Sequence, residues 1–335
     1  MRASPMISVI VAAHDLQGHL EDCLRSVLTQ TFLHVEVIVV LDPSAHSPAD
    51  LVNTYAQRDE RVSVVRLAEA ASIGRIRNAG AEQAAGDYLL FLDSDHIIWG
   101  ETLQVMADRL RAADHPEILL FDHTRLHRGR SWPGAAKGLL AQQVRQPFTP
   151  IDQPELFGAP AYAWDRLIRR ELWIRQALAF PDGLYEEIPV VHRAMLGADR
   201  IAVLKWECVQ IRRRHTQHPA GSPGGTHFDV FDRYEESFSL LKDRSDLDAV
   251  APFLFTRMVR HYLFLLNLSG CLSRPQRPRF FQCASEHYRR FVPDRYEHPD
   301  GREGIKFQLV ASGTYGAFEA AKVPNLARSI VARMR

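Results

Sequence analysis

Along the first 120 residues, short unbroken apolar runs alternate with segments whose apolar residues recur every three or four positions. Ile7 to Ala13 is an apolar run rich in β-branched residues, the pattern of a strand buried on both faces. Leu20, Cys23, Leu24, Val27 and Leu28 then fall at i, i+3, i+4, i+7 and i+8, on one helical face. Val35 to Leu41 predicts a second buried strand. Pro43 stops it and leaves Asp42 at its C-terminal tip. Val62 to Leu67 predicts a third strand. Ile73 to Ala85 predicts a helix that stops at Gly86 as its C-terminal cap. Tyr88 to Leu92, Leu103 to Leu110 and Ile118 to Phe121 continue as strand, helix and strand. This alternation predicts an α/β domain with a Rossmann-like, doubly wound, mostly parallel sheet.

The pattern changes after residue 128. Pro133, Pro147, Pro150, Pro154 and Pro160 interrupt any periodicity, which predicts an insertion over the active edge of the sheet. Ala163 to Ala177 resumes as a predicted helix. Pro219 to Gly225 reads as a loop or boundary. Beyond it, Phe228 to Lys242 and Ala249 to Leu268 have helical periodicity, with Tyr262, Phe264, Leu265 and Leu268 as a helix core. The expected organisation is a catalytic domain over residues 1–224 and a mainly helical C-terminal region over 225–335.

Composition narrows the classes. A chain of 335 residues, 46% hydrophobic and 24% charged, is an ordinary globular protein. Its net charge of +1 gives no electrostatic case for a nucleic-acid partner. Cys23, Cys208, Cys271 and Cys283 show no Cys-x-x-Cys spacing, so reduced thiols in a cytoplasmic protein are expected. The opening apolar run ends at His14-Asp15, too soon for a signal peptide. The stretch from Tyr262 to Leu268 is too short for a membrane span.

The chemistry starts at Asp93-Ser94-Asp95, directly after the fourth strand. Ligands of open α/β sheets bind at the C-terminal edge of the strands. Two carboxylates placed there suit a divalent cation, Mn²⁺ or Mg²⁺, that is also held by substrate phosphates. The turn after the first strand reads His14-Asp15-Leu16-Gln17-Gly18, which lacks the Gly-x-Gly-x-x-Gly of a dinucleotide oxidoreductase. No Gly-x-x-x-x-Gly-Lys-Ser/Thr of a P-loop NTPase occurs either.

Five segments taken in order resemble family 2 glycosyltransferases of the GT-A fold, from about residue 5 to about residue 220. They are Ser8 to Asp15, Val39-Val40-Leu41-Asp42-Pro43-Ser44, Gly74-Arg75-Ile76-Arg77-Asn78-Ala79-Gly80, Gly86-Asp87-Tyr88 through Asp95, and Tyr185-Glu186-Glu187-Ile188-Pro189. The chain departs from the family pattern at four positions. Leu41 replaces the first of two paired acids, and His96 replaces the acid after Asp-x-Asp. His14 stands where an aromatic stacks on the base, and Glu187 where Asp usually serves.

The resemblance implies a metal-dependent, inverting transfer from a nucleotide sugar, UDP-linked, to a glycan or polyol-phosphate polymer such as a teichoic-type wall glycopolymer. It implies donor contacts from His14, Asp15, Asp42, Arg75, Arg77, Asn78, Asp93, Ser94, Asp95, Arg213 and His215. Asp95 and Asp93 would hold the metal, with His215 completing its shell. Glu187 would be the base toward the acceptor hydroxyl, with Glu186 beside it as the fallback. The implied location is cytoplasmic, at the inner face of the plasma membrane. The basic tail from Ala327 to Arg335 reads first as a solvated helix end, with a peripheral membrane contact as its alternative. The C-terminal helices offer a surface for a homo-oligomer. The competing reading is a catalytically impaired GT-A binding module or accessory domain of a larger polymer synthase.

Overall fold

A computed structural model describes residues 6–13, 19–43, 48–127, 130–134, 137–141, 146–212 and 226–321. The chain divides into two compact units, residues 1–225 and 226–335.

The first unit is built on one nine-stranded sheet. Its strands are β1 (Ile7–Ala13), β2 (Val35–Leu41), β3 (Val62–Arg66), β4 (Tyr88–Asp93), β5 (His96–Ile98), β6 (Ile118–His127), β7 (Arg130–Pro133), β8 (Arg166–Arg169) and β9 (Ile201–Arg212). They lie in the order β3-β2-β1-β4-β8-β6-β9-β5, with β7 paired to β6. The intervening helices are α1 (Leu20–Leu28), α2 (Ala49–Arg58), α3 (Ile73–Gln83), α4 (Thr102–Ala112), α5 (Lys137–Leu140), α6 (Arg170–Arg175) and α7 (Glu187–Leu196).

The first four strands are parallel. Every residue of β1 is buried, as its unbroken apolar run requires. The register sets Ala13 beside Leu41 and Ala12 beside Asp93. Asp42 and Asp93 therefore emerge at one edge of the sheet. The second half is mixed, because β8 runs antiparallel to both β4 and β6 while β9 runs parallel to β6.

Three sequence expectations change here. The helix expected over 163–177 is a strand, β8, followed by the short helix α6. Four residues of strand are too few to carry a period, and pairing with β4 and β6 decides the conformation. The strand expected to end at Phe121 continues to His127 and turns into β7, so the start of the irregular stretch is a hairpin. Gly86 does not cap α3, which ends at Gln83 with Ala84 as its cap. It lies against β1 instead. A Cβ there would sit 2.6 Å from Ser8 Oγ, and the Gly86 amide donates to that hydroxyl at 2.9 Å.

The second unit is helical: α8 (Asp229–Ser239), α9 (Ala251–Asn267), α10 (Gln276–Phe291), α11 (Gly301–Ser312) and α12 (Tyr315–Ala320). An aromatic cluster fills its core, with the Phe231 ring 4.8 Å from both Tyr262 and Phe280. Tyr262 and Leu265 are buried as expected, whereas Phe264 projects to solvent. None of the helices among the described residues is long and apolar enough to cross a membrane.

Helix α3 sits close on the parallel half of the sheet through Gly80. A Cβ added there would lie 2.4 Å from Ile10 Cγ2 and 3.1 Å from Val40 Cγ2. Alanine is the better helix former by about 1 kcal/mol, but overpacking a core costs about 1–3 kcal/mol. Gly80→Ala is therefore expected to lower the urea midpoint. An unchanged or raised midpoint would show that the helix can lift off the sheet freely.

Candidate active site at the parallel sheet edge

Asp93 is the last residue of β4, and Ser94 and Asp95 form the turn into β5. His96 opens β5 and folds back over that turn. The Asp93 amide donates to His96 Nδ1 at 3.2 Å. His96 Nε2 lies 3.8 Å from Asp93 Oδ2 and 3.8 Å from Asp95 Oδ1. Ligand atoms of these three residues all lie within 4.8 Å of one another. The donor set fits a divalent cation bound through its carboxylates. Because Nδ1 accepts a hydrogen bond, the neutral imidazole carries its proton on Nε2, facing both acids. His96 thus braces the turn that carries Asp93 and Asp95 through the Asp93 backbone, with its Nε2 near both carboxylates but beyond hydrogen-bond distance. An edge-on contact with Trp164, at 5.1 Å between ring centroids, fixes the imidazole from behind.

Arg77 joins this cluster to the acids of α7. Its guanidinium, 3% exposed, donates to Glu186 Oε1 at 2.6 Å and to Asp93 Oδ1 at 2.9 Å, and lies 3.1 Å from Glu187 Oε1. Burial disfavours the arginine charge, but the carboxylates of Asp93, Glu187 and Glu186 outweigh that and hold it protonated. Burial pushes the Glu187 carboxyl above the ordinary glutamate range. The charges of Glu186 and Asp93 add to the rise, while Arg77 and the Ala163 amide oppose it.

Several local devices hold the segment that carries Glu186 and Glu187. Asn78 donates to the Phe180 carbonyl and accepts from the Phe180 amide, both at 2.8 Å. Ser72 caps α3 by accepting the Arg75 amide, and its hydroxyl donates to Asp182 at 2.5 Å. Gly74 lets the helix approach, since a Cβ there would meet the Pro181 carbonyl at 2.7 Å. Tyr185 takes a left-handed conformation, φ 59°, immediately before the two acids. Such backbone is costly for a bulky residue and persists only where its surroundings impose it.

The expected site residues therefore separate. Asp93, Asp95, Arg77, Glu186 and Glu187 converge, with His96 among them. Asp42 is buried at the tip of β2, and Ser94 is buried in the turn. Arg75 is exposed on the first turn of α3. Asn78, expected at the donor, has its side-chain amide bonded at both ends to the Phe180 backbone. His14, Asp15, Arg213 and His215 lie outside the described residues. Arg212, the last residue of β9, pairs with Asp22 at 2.8 Å and meets His19 at 3.0 Å. The sequence reading did not foresee that His96 braces the Asp93–Asp95 turn or that Arg77 is buried as a hub. Only the nearby acids at 93, 186 and 187 could have signalled a shared cation.

Removing one partner of a buried ion pair costs about 3–5 kcal/mol, so Arg77→Met is expected to be destabilised by that order near neutral pH. Without the guanidinium, the folded-state pKa values of the three carboxyls rise above their unfolded values. The variant should then be most stable at acid pH and lose stability as pH rises through those raised values. Thermal unfolding at pH 5 and pH 8 checks this. A deficit independent of pH would show that Arg77 acts by packing alone.

Residues 8–157 match the sequence model of glycosyl transferase family 2. EpsH of Bacillus subtilis (strain 168), a protein with a provisional glycosyltransferase name, is 28% identical over 187 residues, 53% of this chain and 51% of that protein. The poly(ribitol-phosphate) beta-glucosyltransferase of Bacillus spizizenii is 34% identical over 100 residues, 29% of this chain and 16% of its own. The chain thus spans about half the length of EpsH and a smaller part of the glucosyltransferase. Among solved structures, S. aureus TarS 1-349, crystallised in complex with UDP-GlcNAc, superposes with a TM-score of 0.70 at 22% identity. The match covers 87% of this chain and 82% of that one, and it shows the GT-A fold. What this chain shares with glycosyl transferase family 2 is therefore the region of residues 8–157.

Proposed function

We propose that this chain is an inverting glycosyltransferase that moves a sugar from a UDP-linked donor to a hydroxyl of a cell-surface polymer, such as a teichoic-type wall glycopolymer. The observation that carries the proposal is the buried Arg77, which ties Asp93 at the sheet edge to the acids of α7. One group of carboxylates faces the donor side and another the acceptor side, and a single cation sets their spacing.

In this reading Asp42 accepts the imide N–H of the uracil at the tip of β2. Asp93 and Asp95 would hold Mn²⁺ or Mg²⁺, which when bound supplies positive charge to the leaving diphosphate. Glu187 takes the proton of the acceptor hydroxyl. Its raised pKa strengthens it as a base toward a weakly acidic alcohol. Glu186, bonded to Arg77 at 2.6 Å, positions that base. Displacement with one base and no covalent intermediate inverts the anomeric centre. The UDP-GlcNAc complex of the TarS fold relative and the poly(ribitol-phosphate) beta-glucosyltransferase support the donor and acceptor classes. The proposal places the work at the inner face of the plasma membrane, residues 1–224 carrying the chemistry and 225–335 a helical appendage.

A second reading, a binding module without turnover, draws on Leu41 and His96, which stand where the family has the first of two paired acids and the acid after Asp-x-Asp. Both make the same first prediction: UDP binds better than GDP or CDP in calorimetric titration, Mn²⁺ is required, and Asp95→Ala abolishes binding. UDP binding indifferent to metal and to that substitution would sink the assigned donor site. The two readings part at Glu187→Gln. The enzyme should lose about 10²–10⁴-fold in turnover with its UDP affinity unchanged, whereas wild-type protein that binds UDP yet transfers no sugar to any wall-polymer acceptor would favour the module.

The pH profile gives an independent check. Glu187 acts as base only when ionised, and burial raises its pKa, so turnover should climb with pH along a limb above the ordinary glutamate value of about 4.3. Glu187→Gln should lack that limb. A limb that survives in the variant would assign it to another group.

A further inference from the structure

Away from the carboxylate cluster, β6, β9 and α5 border a cavity of about 510 Å³, within the range of small-molecule sites. Two indoles in its wall, Trp99 and Trp206, are 45% and 51% exposed. Trp99 follows β5 directly, three residues beyond His96, so about 10 Å of extended chain separates it from the cluster. Large aromatic faces left in water inside a concave wall mark a surface that expects a ligand. Thr124 also lines the cavity; it is 5% exposed, and among the described residues its hydroxyl has no hydrogen-bond partner. A buried hydroxyl in that state is destabilising, and rotation about χ1 toward the cavity would let a ligand supply the missing bond. Asp122, equally buried, also lines the cavity and accepts the His123 amide at 2.8 Å through one oxygen.

The charges around this groove cancel. Lys137 pairs with Glu207 at 2.9 Å, Lys205 donates to the Ala141 carbonyl at 3.0 Å, and Asp122 supplies the second carboxylate. Two cations against two acids give a phosphate chain no net attraction. A neutral, hydroxyl-rich ring suits the wall better. Its C–H face can lie on an indole, and its hydroxyls can pair with Thr124 and Asp122.

We propose that this groove is a second carbohydrate-binding site that holds a stretch of neutral glycan. That the stretch belongs to the acceptor rests on the transferase reading; that the groove binds sugar does not. It favours a glycan acceptor, or a neutral glycan portion of one, over a bare polyol phosphate.

The test titrates the full chain with cellohexaose, chitohexaose and maltohexaose, and separately with poly(ribitol phosphate), following indole emission. At least one neutral oligosaccharide should bind saturably. Trp206→Ala and Trp99→Ala should each weaken it about 10-fold, or 1.4 kcal/mol, with UDP affinity unchanged. Thr124→Val should weaken sugar binding while leaving the melting temperature equal or higher, because the lost hydroxyl had no partner. That variant keeps the test alive should a tryptophan variant fail to fold. Binding of poly(ribitol phosphate) alone, binding by no oligosaccharide, or binding indifferent to all three substitutions would overturn the proposal. Loss of UDP binding in the wild type would strike the donor assignment and leave the groove standing.

Discussion

A single buried guanidinium holds this site together. Arg77 lies on α3, and its three carboxylate partners come from the end of β4 and the start of α7, with Glu186 109 residues away in sequence. A charge this deeply buried survives only when its bonds to opposite charges outweigh the loss of water. The pairing is therefore compulsory in the folded state and defines where Asp93, Glu186 and Glu187 stand relative to one another. Gly74, Ser72 and Asn78 serve the same end by locking α3 to the 180–182 segment, so the acids arrive on a rigid support.

The sheet supplies the rest of the geometry through a change of direction. Four parallel strands bring Asp42 and Asp93 to one edge. Because β8 is antiparallel to β4, the chain entering β8 comes from that same edge. Residues just before β8 are delivered to the site: the Ala163 amide reaches Glu187, and the Trp164 ring reaches His96. A wholly parallel continuation would have put the start of that strand at the opposite end. The antiparallel insertion is thus what gives the carboxylates an aromatic wall.

The parts of this arrangement that were legible in the sequence are those with a period or an unbroken run. β1, β2 and β4 are buried on both faces and read as such, and α1 announces itself by its apolar stripe. Asp93 and Asp95 stood out because two acids directly follow an apolar strand. What escaped has tertiary causes. β8 has four residues, two of them arginine, and is a strand only because β4 and β6 flank it. Gly86 looked like a cap because glycine after a helix usually is one, whereas here it makes room for Ser8. Phe264 fell on the apolar side of an averaged helix and yet faces water. Arg77 gave no sign of burial, since an arginine on a short helix is most often a surface charge. His96 read as the loss of an acid, and its bond from the Asp93 amide shows that it braces the turn carrying the acids that remain.

Charge completes the argument for what this edge can receive. Asp93, Asp95, Glu186 and Glu187 meet one guanidinium already engaged with three of them. Two like charges 4 Å apart repel by about 4 kcal/mol at an effective dielectric near 20. A diphosphate brought beside Asp93 and Asp95 would meet that repulsion, and Arg77 is too committed to relieve it. Accommodating such a donor therefore calls for positive charge from outside the buried network. A divalent ion between the two aspartates is the most compact source. The excess of acid that would exclude a diphosphate without a cation is the same excess that attracts the cation, so metal and donor are expected to bind as a pair.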